Sequence, residues 1–300
     1  MLPTLRQLQY LTLLAEHGSF SRAAEAAHVT QPTLSAGVQE LEKILGAPVV
    51  DRARSGVLLT AAGQEALRRA KAILAQSEDL VQAARGAGQP LCGRFRLGVI
   101  PTVAPFLLPR ALPHLRTAYP KLKLFLREDL TNRLIASLKA GALDAALIAL
   151  PYDMAGLEWA HVEDDELLAA APANHPIASQ SRVDLGSIDP SDLILLEDGH
   201  CLRDHALAAC GIELSRNGGD DDGEGFAATS LPTLVQMVGS GLGVSFLPAM
   251  AVEAGLVNHA PVTIRPLMAD HPSREIVVAW RSGSSRAVEG RLLAEAFKSR

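Results

Sequence analysis

The sequence predicts an α/β protein in three parts: a small helical head, one long helix, and a larger body in which strands and helices alternate. Three observations carry this. Leucines recur at helical spacing from Leu5 to Leu14 and again from Leu34 to Leu45. One amphipathic pattern runs from Ala61 to about Arg85 without a break. From Cys92 onward, strand-like runs such as FRLGVI and LDAALIAL alternate with helix-like runs such as TNRLIASLKAG. A chain of 300 residues has room for two or three such domains. Aromatic residues make up 4% of it, so the cores must be built from Leu, Val, Ile and Ala.

In the head, Leu5, Leu8, Leu11 and Leu14 mark a first helix that Gly18 ends. Ser19 is a good N-cap for a second, from Phe20 to about His28, whose Ala23, Ala24, Ala26 and Ala27 let another helix come close. Thr30 can cap a third, with Gln31 and Pro32 in its first turn. Leu34, Val38, Leu41 and Leu45 form its apolar stripe, while Thr33, Ser35, Ala36 and Gln39 lie away from it, short or polar enough to enter a major groove. VVDRARSGVLLT then reads as strand, basic turn and strand, with Arg52 and Arg54 at the turn, where a wing would touch phosphates. A generic helical domain with a surface hairpin is the competing reading. Charge does not decide between them: residues 1–90 carry nine Lys/Arg and eight Asp/Glu, while the rest of the chain has a net −6.

SFSRAAEAAHVTQPTLSAGVQELEKILG followed by VVDR…LLTAAG resembles the winged helix-turn-helix of LysR-type transcription regulators over about residues 1–65. The resemblance implies contacts to double-stranded promoter DNA from Gln31, Pro32, Thr33 and Ser35, with Arg52 at the wing. The chain departs from many relatives at Gln39 and Glu40, where they carry Lys or Arg.

Leu67, Ala70, Ile73, Leu74, Leu80, Val81 and Ala84 fall on one side of the long helix that Thr60 can cap. About 25 residues make a helix of roughly 37 Å, too long to bury against a 60-residue head alone. Its apolar seam reads as an oligomer interface or as an intramolecular core face. The family resemblance implies a dimer through this helix and a homotetramer beyond it, with RNA polymerase as a further partner. Gly86 to Pro90 reads as a hinge.

The body resembles the two-lobed, periplasmic-binding-protein-like effector domain of the same regulators. The expected boundaries are 1–59 for the DNA-binding domain, 60–90 for linker helix and hinge, and 91–300 for the regulatory domain. Lobe one takes about 91–164 plus 271–300 and lobe two about 165–270. Ligands of open α/β folds meet the carboxyl ends of strands. Thr102, after FRLGVI, and Thr131, after LKLFLRED, are hydroxyls so placed, or N-caps.

LEDGHCLRDHALAAC is the most informative segment. Cys201 follows a strand and begins a helix; helix N-termini and nearby cations, here Arg203 and His200, favour a thiolate. Two buried small residues are the bland alternative, and zinc is disfavoured because His200, Cys201, His205 and Cys210 lack paired Cys-x2–4-Cys spacing. GHCLRDHALAAC, together with VIPTVAPFLLP and ATSLPTLVQMV…GVSFLP, is similar to the hydrogen-peroxide-sensing members of the LysR family over nearly the whole chain. That similarity implies that Cys201 reacts with peroxide and Cys210 resolves the product. It places Thr102, Thr131, His200 and Asp204 in the peroxide pocket, with Leu202 and Arg203 shaping it; Cys92 falls outside the motif. If residues 202–210 are helical, the cysteines stand about 13 Å apart along the axis, whereas a disulfide needs Cα atoms within about 7 Å. Oxidation must then refold this segment. No cofactor, metal or membrane is expected: no apolar run reaches about 18 residues. MLPTLRQLQYLTLLAEHGSF has no charged stretch ahead of its apolar residues, so a cytoplasmic protein without a signal peptide is expected.

Three rival readings remain at this stage: a LysR-type regulator responding to a small organic effector between the lobes, a thiol peroxidase, and a solute-binding protein.

Overall fold

The computed structural model describes residues 1–51, 57–85, 90–210, 227–268 and 272–298. They form two compact units, a head with its long helix and a body.

In the head, α1 spans Leu5–His17, α2 Phe20–Ala26 and α3 Gln31–Leu45. Thr4 caps α1 reciprocally: its hydroxyl accepts from the Gln7 N–H while the Gln7 side chain accepts from the Thr4 N–H. Gly18 closes α1 in the left-handed region at φ 60°. α2 is shorter than the sequence suggests, because His28 takes φ 54° and turns the chain toward α3. Ser19 holds the N-cap position without a side-chain bond, whereas Thr30 does cap α3. The core is Leu8, Leu11, Leu14, Ala23, Ala24, Leu34, Val38 and Leu41. Leu5 and Leu45, expected in the apolar stripes, are exposed instead, each on the outermost turn of its helix. Gly37 brings α1 onto α3: a Cβ there would stand 2.6 Å from the Tyr10 ring.

β1 (Val50–Asp51) and β2 (Leu58–Leu59) pair antiparallel as the stem of the expected hairpin. Its turn, with Arg52 and Arg54, lies outside the described residues. α4 runs from Ala61 to Arg85. The Thr60 hydroxyl accepts from the Gly63 N–H at 2.9 Å and donates to the Pro48 carbonyl at 2.7 Å, so it caps α4 and pins it to the hairpin. Ala66, Leu67, Ala70 and Leu74 pack on the head's core. Ile73, Leu80 and Val81 are exposed. Of the expected hinge, residues 86–89 lie outside the described residues.

The body begins with β3 (Gly93–Val99), α5 (Ala104–Ala118), β4 (Leu122–Glu128), α6 (Thr131–Lys139), β5 (Ala145–Leu150) and β6 (Leu157–Pro172). β7 (Leu195–Leu196), α7 (Cys201–Ala209), β8 (Ala227–Ala228), α8 (Leu231–Gly239), β9 (Ser245–Pro248) and α9 (Ala249–Glu253) follow. β10 (Val262–Pro266), β11 (Ser273–Arg281) and α10 (Ala287–Phe297) end the fold. The main sheet runs β10-β6-β11-β5-β3-β4, with β9 also on β6.

The expected parallel units hold for β3, which pairs parallel with β4 and β5. β6 and β11 are antiparallel, so the sheet is mixed. β6 is also one strand of 16 residues, where the sequence reads a new strand at ELLAAAP. Its first part pairs with β11 and its last with β9 and β10. The strand expected at LILLED shrinks to two residues, β7, which pair parallel with β8. Pro105 stands in the first turn of α5, and Pro109 and Pro113 sit inside it, both on its exposed side, where freed carbonyls meet water.

Candidate functional site

On the head, α3 buries Leu34, Val38 and Leu41 and leaves Gln31, Pro32, Thr33 and Gln39 exposed, with Ser35 half-buried beside them. Its first turn therefore offers short polar groups on the face away from the core, the geometry a recognition helix needs.

In the body, Cys201 is the first residue of α7 and buried, at 2% exposure. His200 holds the N-cap position and Cys210 the C-cap position of the same helix. The two thiols thus stand at opposite ends of a nine-residue helix, about 13 Å apart along its axis. Cys92 is exposed, and all three cysteines are free. Burial pushes the Cys210 thiol up. Leu202 is buried beside Cys201. The Arg203 guanidinium holds the loop ahead of the helix: Nε lies 2.8 Å from Asp198 Oδ1 and Nη1 donates to the Leu196 carbonyl at 3.3 Å.

Gly199 lets that loop lie against the start of α6. It has φ 93°, and a Cβ on it would stand 2.9 Å from a Leu130 methyl. This brings the Cys201 end of α7 toward Thr131, the first residue of α6. Thr131 is 1% exposed, and its buried hydroxyl has no hydrogen-bond partner of good geometry. A buried, unsatisfied hydroxyl is costly and marks a place where a small polar molecule fits.

Tyr152 closes the same corner, two residues beyond β5. Its hydroxyl donates to Asp204 Oδ2 at 3.5 Å and lies beside the Thr131 hydroxyl. The phenol is pushed up to about 12, by burial first and then by negative charge on Cys201 and Asp204. Burial raises the Asp204 carboxyl and lowers the His200 imidazole. No hydrogen bond joins His200 to Asp204 among the described residues. The carboxyl accepts from Tyr152 instead.

Thr102 is also buried and also not an N-cap: its hydroxyl accepts from Arg274 Nη1 at 2.8 Å, and its carbonyl from Arg274 Nη2 at 3.0 Å. Arg274, on β11, is 0% exposed and is neutralised by Asp165 of β6 at 2.8 Å. The other oxygen of Asp165 accepts from the Met250 N–H at the start of α9. His205, on α7, bonds the Leu150 carbonyl through Nε2 at 2.8 Å. Burial, and then the Arg274 cation, lower its imidazole to about 4. Sequence reasoning missed Arg274, Asp165 and Tyr152. An arginine two residues ahead of the apolar run IVVAW was the available signal for the first.

A DNA-binding head joined to an α/β effector domain defines a transcription regulator, and comparison with known proteins agrees. Residues 5–64 match the bacterial regulatory helix-turn-helix of the LysR family, and residues 88–300 match the LysR substrate binding domain. The chain belongs to the LysR family of transcription regulators, which are not enzymes. Within that family it is OxyR-like over its full length. A full-length OxyR variant from Pseudomonas aeruginosa superposes with a TM-score of 0.80 at 34% identity, covering 99% of this chain and 95% of that one. The hydrogen peroxide-inducible genes activator of Escherichia coli O157:H7 is 37% identical over 99% of this chain and 95% of its own. The regulator EstR of Acinetobacter baylyi is 38% identical over 99% of this chain and 97% of its own.

Proposed function

We propose that the chain is a hydrogen-peroxide-responsive transcription regulator in which Cys201 is oxidised and Cys210 completes a disulfide. The observation that carries this reading is Cys201, buried at the N-terminus of α7, with Cys210 at the other end of the helix. The thiolate attacks one peroxide oxygen and becomes a sulfenic acid; the other oxygen leaves as hydroxide and is protonated to water. Thr131 and Thr102 hold the peroxide, with His200 and Asp204 at the mouth of the pocket and Leu202 and Arg203 shaping it. Cys210 then condenses with the sulfenic acid and releases water. Because about 13 Å of helix separates the cysteines, this second step requires α7 to unwind. That refolding is the conformational signal.

The signal reaches promoter DNA through α3, with Gln31, Pro32, Thr33 and Ser35 at the major groove and Arg52 at the wing. The protein works in the cytoplasm as a dimer through α4 and as a tetramer, and passes its output to RNA polymerase. Peroxide-treated protein analysed by mass spectrometry tests the chemistry. The expected product is a Cys201–Cys210 linkage at substoichiometric peroxide, and its absence sinks the reading. The Cys201→Ser variant should still bind DNA but lose the change in footprint that peroxide produces.

The match of residues 88–300 to the LysR substrate binding domain supports a second reading, a small organic effector bound between the lobes. A metabolite that binds tightly and shifts the footprint of the Cys201→Ser variant would favour it.

A further inference from the structure

The peroxide chemistry proposed above makes no use of Tyr152, yet this residue stands where that chemistry takes place. Its hydroxyl donates to Asp204 Oδ2 at 3.5 Å and lies beside the buried Thr131 hydroxyl. Charge on Cys201 reaches the phenol. Asp204 is three residues beyond Cys201 on α7, hence on the same face of the helix. Tyr152 meets that face from the segment after β5, which is anchored to the next residue of α7 by the bond from His205 to the Leu150 carbonyl. The other charges acting on Asp204 are Arg203 on its own helix and Asp198 in the loop before it.

Sulfenic acid formation needs a proton. As the bond from Cys201 sulfur to one peroxide oxygen forms, the O–O bond breaks. Sulfur gives up two electrons, and the second oxygen departs as hydroxide. A half-buried carboxyl that burial pushes above the usual carboxylate range can supply the missing proton and regain one from solvent. To do so it must point at the pocket, and a free Asp side chain would turn to water.

We propose that Tyr152 is a positioning residue for peroxide reduction at Cys201: its hydroxyl fixes the Asp204 carboxyl over the first turn of α7, where that carboxyl hands a proton to the departing hydroxide. This rests on the peroxide reading. The bond is long in the free protein and shortens when the pocket fills, as catalytic hydrogen bonds commonly do.

The test is the rate of Cys201 oxidation by hydrogen peroxide, followed by stopped flow in full-length protein carrying Cys210→Ser so that the reaction halts at the sulfenic acid. Tyr152→Phe, which keeps the ring, should slow it by about tenfold. Alkylation of Cys201 by iodoacetamide releases no hydroxide and should stay within about twofold. The Tyr152 bond lowers the Asp204 carboxyl, so its loss should move the proton-dependent limb of the rate profile to higher pH. Asp204→Asn should slow the reaction too, and adding Tyr152→Phe to it should slow it no further, because one acts through the other. Unchanged oxidation in Tyr152→Phe, equal slowing of oxidation and alkylation, or additive effects in the double variant would each overturn the assignment. A Cys210→Ser parent that does not react with peroxide overturns the peroxide reading itself, which the variant arms do not address.

Discussion

His205 is carried through the fold in its neutral form. Its imidazole falls from the ordinary 6.5 to about 4 because it is buried, next to the Arg274 cation. A base lowered on folding costs nothing while both states are neutral, so above about pH 6.5 it does not weaken the body. As the pH falls below that value the unfolded chain takes up a proton that the folded one refuses. Stability is lost progressively until about pH 4, by up to roughly 3 kcal/mol at one decade per 1.36 kcal/mol. Chemical denaturation of wild type and His205→Gln between pH 7 and 4.5 checks the sign: the wild type should lose more stability across the range than the variant. Arg274 is the opposite case, a charge buried only because Asp165 neutralises it. Arg274→Met should cost about 3–5 kcal/mol, since it leaves Asp165 buried and unpaired and frees the Thr102 hydroxyl. Removing both charges, Arg274→Met with Asp165→Asn, should recover part of that loss. Urea midpoints of the single and double variants decide it.

At the scale of elements, the sequence displays what is local and hides what is assembled. α1, α3 and α4 were legible because each is marked by local signals, leucines one or two turns apart with a cap or a closing glycine at an end, as with Gly18 for α1 and Thr30 for α3. Cys201 at the start of α7 was legible for the same reason. β6 was not: residues 157–172 look like two pieces because the first part is mostly exposed or half-buried and rich in acidic residues, while the last is buried, where it pairs with β9 and β10. Tyr152 and Arg274 were not legible either, since they stand 49 residues before and 73 after Cys201 and meet its surroundings through the sheet. Gly63 lies between these cases. It reads as an ordinary helix glycine that Ala should improve, yet a Cβ there would stand 2.0 Å from the Val49 carbonyl oxygen. Backbone cannot yield as a side chain does, so Gly63→Ala should destabilise the head by about 1–3 kcal/mol rather than stabilise it. Thermal unfolding of the isolated change in the full chain reads this directly, and a raised midpoint would count against the packing described.

For the whole molecule, the open question is what covers the outer half of α4. Its inner face is spent on the head's core through Ala66, Leu67, Ala70 and Leu74. Leu80 is 72% exposed and Ile73 and Val81 are exposed too, so the head covers only part of the apolar seam read in the sequence. Three large aliphatic groups within nine residues of a helix are a poor surface for a monomer, and the spacing of Ile73 and Leu80 by one heptad is the spacing a partner helix packs against. The chain's charge adds a reason for a partner. A head with a net charge of +1 is a weak electrostatic ligand for DNA, and two heads on adjacent half-sites double the phosphate contacts that one can make. Leu80→Glu separates the possibilities because the side chain lies free of the head's own core. The substitution should therefore leave unfolding of the single chain nearly unchanged, within about 0.5 kcal/mol. If α4 is the dimer seam, the same change buries a carboxylate opposite its own copy. Sedimentation should then show a shift from dimer or larger to monomer at micromolar concentration, together with loss of binding to a two-half-site operator and retention of weak, salt-sensitive binding to DNA. An undisturbed assembly would place the interface elsewhere on the chain.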